Sequence, residues 1–161
     1  MKTIRLAKIA LTAALALLLG IIAWNNVVDY GSNLAFVRHV LSMDTTFPGN
    51  ALMGRALTAP WIHHAFYAGI ILWEAGASGL LAWGAWKLWR ARGGSPDEFH
   101  AAKAAAVAGL TLGALLWLVA FLTVGGEWFA MWQSSTWNGQ TAAGRMLDAT
   151  GIVLIFVAMR E

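Results

Sequence analysis

Glu74 lies near the middle of an apolar run, Trp61–Trp86, that is long enough to cross a bilayer. A charged side chain at that depth costs roughly 2.5–3.5 kcal/mol on insertion scales unless it is neutral, paired or hydrated. At about 100° per residue, the eleven-residue step from His63 to Glu74 returns to within roughly 20° of one helix face. Tyr67 falls one turn beyond His63, and Ser78 one turn beyond Glu74. His63, Tyr67, Glu74 and Ser78 therefore form one polar line from a membrane surface to mid-span. Imidazole, phenol, carboxyl and hydroxyl in that order suit a proton relay, or a site for a polar headgroup or a cation. The same line also suits a plainer role. Glu74 would be protonated and hydrogen-bonded to a neighbouring helix or a partner subunit, with His63 and Tyr67 at the helix rim.

Arg145 and Asp148 stand three residues apart on one helix face, where they can pair. Either they form an intrahelical salt bridge that anchors the helix end, or Arg145, Asp148 and Glu74 make one network inside the bundle. Haem is disfavoured, since axial histidines come from inward positions, usually on two helices. Here His63 and His64 share one helix rim, His39 and His100 lie in connections, and the other apolar runs hold no histidine. His39, His63, His64 and Asp44 are suitable zinc ligand types, but no spacing motif joins them. There is no cysteine, no phosphate-cradling glycine motif, no nucleophile elbow and no HExxH. The residues thus argue for no catalytic group, no metal and no cofactor.

The elements that must hold these residues are apolar helices. Of the 161 residues, 59% are hydrophobic and 12% charged, against about 25% charged in a soluble domain. The expected spans are residues 6–24, 61–86, 104–124 and 141–159. The first follows Lys2, Arg5 and Lys8, a pattern shared with signal peptides, but its apolar run is long for one and a retained helix is expected. Pro60 suits a first helical turn. Ser95-Pro96-Asp97-Glu98 is a capping-box start for the third helix. Trp61 at one end of the second span and Trp83, Trp86 and Trp89 at the other mark the two interfaces.

Lys2, Arg5, Lys8, Lys87, Arg90, Arg92, Lys103 and Arg160 fall on one side of the membrane, and Arg38, Arg55 and Arg145 on the other. The positive-inside rule then makes both termini and the hairpin 87–103 cytoplasmic, with loops 25–60 and 125–140 outside. This scatter of cations reads as membrane orientation rather than a nucleic-acid surface. Val27, Tyr30, Leu34, Val37 and Leu41 recur at helical spacing and predict an amphipathic outer helix. A short second helix is expected near 51–57, and the outer loops together would cap the bundle. Small residues at Ala105, Gly109 and Gly113, at Ala65 and Gly69, and at Ala75 and Gly79 permit close helix contacts.

With its four spans, the Asn25–Tyr30, Phe36–Asp44 and Gly144–Asp148 runs and its long first outer loop, the chain resembles a bacterial family of predicted small integral membrane proteins of unknown function. The resemblance covers nearly the whole chain and implies fold and location, with no functional residue to transfer. The expectation is an all-α integral membrane bundle of four transmembrane helices with amphipathic segments outside, in the bacterial inner membrane. Two roles remain open. One is a non-catalytic accessory subunit that binds other membrane subunits or itself within the lipid bilayer. The other is a small transporter, or a ligand- or proton-binding protein, that uses Glu74.

Overall fold

The computed structural model describes residues 2–160, and among them every regular element is helical. The α-helices are α1 (Lys2–Val28), α2 (Tyr30–Ser42), α3 (Pro60–Ala91), α4 (Pro96–Ala101), α5 (Ala104–Leu115) and α6 (Gln140–Ala158). α5 continues directly into a π-wound segment, Leu116–Trp128. Four stretches are long and apolar enough to cross a membrane: Lys2–Val28, Pro60–Ala91, Pro96–Trp128 and Gln140–Ala158. They pack as a ring. α1 lies on α3, α3 on α5, α5 with the π segment on α6, and α6 closes on α1.

Inside a bilayer, lipid tails are as apolar as leucine, so close backbone packing takes over from hydrophobic burial in holding helices together. The α3–α5 contact shows this directly. A Cβ placed on Gly84 would lie 2.5 Å from the Ala106 backbone nitrogen, and one on Gly109 would lie 2.9 Å from that of Leu81. The small residues of α5 are thus used inside the bundle. On α3, Gly84 is used in the same way, but Gly69, Gly76 and Gly79 are not, because a Cβ on any of the three meets nothing within 4 Å.

One end of the bundle carries both termini. Arg5, Lys8 and Lys103 are buried there. Arg5 donates to the carbonyls of Arg92 (3.1 Å) and Gly94 (2.7 Å), closing the turn after α3. Lys8 and Lys103 both donate to the Met159 carbonyl, at 2.5 and 2.8 Å. Cations on carbonyls at the end of α6 satisfy groups that the helix leaves unpaired and complement its dipole. Phe99, fully buried, lies beneath Arg5 and Lys103. The capping box forms as expected: Ser95 Oγ accepts from Glu98 N, and the Glu98 carboxylate accepts from Ser95 N.

The other end is a cap. α1 stops because Asp29 leaves helical geometry at φ −110° and ψ 55°, and α2 folds over the bundle. Of the expected apolar stripe, Val37 and Leu41 are buried and Tyr30 and Leu34 partly so. Val27 instead belongs to α1 and is exposed, since the break at Asp29 separates it from the stripe. The short helix expected near 51–57 is a single 3-10 turn, Met53–Arg55. Thr45 Oγ1 donates to Ser134 Oγ (2.9 Å) and Phe47 N to Gln133 Oε1 (3.1 Å), so the two long loops make one structure.

Candidate functional site

The site is built around the end of α1. A helix leaves its last four carbonyls without an intrahelical donor, and the break at Asp29 places Asn26 in that group. The Asn25 carbonyl is taken by Asp29 N at 2.8 Å. The Asn26 carbonyl is taken instead by the Tyr67 hydroxyl of α3, at 3.0 Å. The Asn26 side chain then uses both its functions: Nδ2 donates to Glu74 Oε2 at 2.7 Å, and Oδ1 accepts from Asn33 Nδ2 of α2 at 2.8 Å. Glu74 and Tyr67 are 1% exposed and Asn26 7%, whereas Asn33 is exposed. A hydrogen-bonded line therefore runs from the cap surface through Asn33 and Asn26 to Glu74.

The rest of the polar face of α3 also turns inward, each residue to a partner of its own. His63 is buried and its Nε2 donates to the Leu57 carbonyl at 2.7 Å, while Leu57 N reaches back to Leu41 O. This imidazole anchors the loop to the cap. Ser78 Oγ donates to the Ala16 carbonyl of α1 at 2.8 Å, beside Gly20, whose missing side chain leaves it room. Tyr30 ties α2 to α3 by bonding His64 Nδ1 at 2.9 Å and packing 4.7 Å from the Tyr67 ring. His63, Tyr67, Glu74 and Ser78 thus line the inner face of α3, but the bonded line itself contains Glu74, Asn26, Asn33 and Tyr67.

Arg145 and Asp148 do not join it. Both are exposed, and Arg145 Nε donates to its own helix at the Thr141 carbonyl, 3.4 Å away. The buried residues of α6 are Ala143, Thr150 and Val157, spaced by seven, so that face meets the bundle and the charged residues lie off it. The network of Arg145, Asp148 and Glu74 is therefore not formed, and the acceptor of the Asn26 amide has an amide rather than an arginine beside it. The residues of zinc-ligand type turn to other partners: His39 bonds Asp44 at 2.9 Å and stacks on Trp137, while His63 and His64 bond Leu57 and Tyr30. Among the described residues no three His, Cys, Asp or Glu side chains gather as a metal group.

A second feature lies on the neighbouring side of α3. An apolar cavity of about 480 Å³, open on one side, lies between α2, α3 and the π segment, with Val37, Ile70, Trp73, Phe121 and Phe129 among its walls. The winding of the π segment starts where the Trp73 indole N–H donates to Leu112 O at 2.9 Å and Leu116 N is shared between Gly113 O and Leu112 O. Thr123 Oγ1 then bonds Leu118 O, a five-residue step. Winding of this kind usually lasts one turn and is frequent at functional sites.

No curated protein and no solved structure matches the chain. A family model described as "Predicted small integral membrane protein (DUF2165)" matches residues 4–160, and the chain belongs to that family.

Proposed function

We propose that this integral membrane protein is a non-catalytic accessory subunit that docks on another membrane polypeptide through the lipid-facing side of α3. The carrying observation is the open small-residue face at Ala75, Gly76 and Gly79, all exposed, with no atom near a Cβ on either glycine. Each glycine in a helix interior costs roughly 0.5–1 kcal/mol relative to alanine. At Gly84 of α3 and Gly109 of α5 close packing offsets that cost, whereas at Gly76 and Gly79 nothing within the chain does. A second helix laid on this face would. The bias of Lys and Arg toward the terminal end supports cytoplasmic termini, and the family resemblance supports the bacterial inner membrane.

In this reading Glu74 is a lock. Through Asn26 it holds the end of α1, the start of α2 and the middle of α3 in one arrangement. One observation favours a second reading, in which Glu74 binds a proton or cation. The line from Glu74 through Asn26 ends on the exposed Asn33.

Extraction from native membranes in mild detergent separates the two. The accessory reading expects the wild type to migrate in a complex larger than the 17.3 kDa chain, and Gly79→Leu to release it as a monomer. A wild type that leaves its own membrane as a lone monomer contradicts this. Glu74→Gln should leave both the complex and any proton or cation uptake by reconstituted vesicles unchanged. Loss of such uptake in that variant alone would favour the second reading.

A further inference from the structure

The cavity beside α3 has a lining of one chemical kind. Its walls are Phe36, Val37, Val40 and Leu41 from α2, Ala65, Phe66, Gly69, Ile70 and Trp73 from α3, Val119, Ala120, Phe121, Val124 and Gly125 from the π segment, and Phe129 with Met131. None of these carries a charge or a hydroxyl. The one polar side-chain atom among them, Trp73 Nε1, is already bonded to Leu112 O. A site without polar partners does not hold water, and an engineered apolar cavity of about 150 Å³ stays dry yet takes up benzene. This space is about three times larger, at about 480 Å³.

Its position names the occupant. Val37, Val40, Leu41, Phe129 and Met131 form a buried inner wall, whereas Ala65, Phe66, Gly69 and Val119 are exposed on the outer surface of two membrane-crossing helices. The opening therefore faces the hydrocarbon of the bilayer. A helix from another protein, roughly 10–12 Å across, is too wide to enter, but an acyl chain is not. Next to Phe129 of the inner wall in the chain stands the exposed Trp128, over whose ring the Arg55 guanidinium sits at 4.5 Å while Arg55 Nη1 donates to the Trp128 carbonyl at 3.1 Å. A cation and an interfacial indole on the cap side are the groups that meet a phosphate headgroup.

We propose that the cavity between α2, α3 and the π segment binds one acyl chain of a phospholipid from the leaflet facing the cap, entering between Gly69 and Val119. The π winding supplies the width, and α2 forms the roof. This site does not involve Glu74, and its mouth at Gly69 lies on the same side of α3 as Gly76, about two turns nearer the cap.

The test uses the full-length protein in phospholipid nanodiscs containing a phospholipid with a photoactivatable acyl chain. Cross-links in the wild type should concentrate on Ile70, Trp73 and Val124 relative to Ile152 and Ile155, which face lipid on α6. Gly69→Leu places a side chain in open space at the mouth. By blocking the mouth sterically, it should bring the cavity cross-links down to the level of the lipid-facing positions on α6. Gly151→Leu, equally open but on α6, should leave them unchanged. Mass spectrometry of the delipidated wild type should release one phospholipid per chain. Cross-links spread evenly over lipid-facing positions, equal labelling of the Gly69 and Gly151 variants, or release of an isoprenoid or free fatty acid in place of phospholipid would each overturn the proposal. The wild-type map decides even if Gly69→Leu misfolds.

Discussion

Asn26 is the residue on which the cap depends, because it bonds three partners from two other helices with one side chain and one carbonyl. Asn26→Ala should cost about 1–3 kcal/mol, since it strands the Glu74 carboxyl in the bundle. That exceeds the ~0.6 kcal/mol average of a hydrogen bond between membrane helices. Glu74→Gln keeps an oxygen to accept from Asn26 and should stay within about 1 kcal/mol of wild type. Chemical denaturation in detergent micelles measures both. Glu74 was legible in the sequence because a carboxyl inside an apolar run stands out. Asn26 was not, because an asparagine near a helix end reads as an interfacial residue until α2 is known to fold back over it. Arg145 and Asp148 were legible as charges on one helix turn, but neither a bond between them nor their direction followed, since Arg145 turns to the Thr141 carbonyl. The seven-residue spacing of Ala143, Thr150 and Val157 could have shown that the pair faces away from the bundle.

At the scale of elements, the contact between α3 and α5 leaves the least room. Gly84→Leu forces a side chain against the Ala106 backbone, which cannot swing aside as a side chain would. Overpacking typically costs about 1–3 kcal/mol, and this variant should reach or pass the upper end, read as loss of folded protein in detergent. Gly76→Ala, in open space, should instead be neutral or gain up to ~1 kcal/mol from helix propensity. The spans, the capping box at Ser95 and the proline start of α3 were all readable from composition and spacing. The π segment was not. Leu116–Trp128 is as apolar as an ordinary span and holds no proline, and the Trp73–Leu112 bond at its start joins residues thirty-nine apart.

Across the whole molecule, the cations do two jobs. Their placement is expected to set orientation, and burial of Arg5, Lys8 and Lys103 on backbone carbonyls ties the start of α1 to the turn after α3 and the end of α6. Counting charges shows the first job and hides the second. Lys8→Met should lower stability by about 1–3 kcal/mol by removing a charged donor from buried carbonyls, measured by thermal unfolding in detergent. The absence of cysteine makes sidedness easy to test. With cytoplasmic termini, Gly54→Cys should react with an impermeant thiol reagent in intact cells and Gly93→Cys only after lysis. The same absence allows the most direct test of the docking face. A photoactivatable cross-linker attached at Gly79→Cys in native membranes should yield a covalent adduct with a second polypeptide, while one at Ile152→Cys on the lipid-facing side of α6 should not. No adduct from position 79, or equal adducts from both positions, would contradict the account.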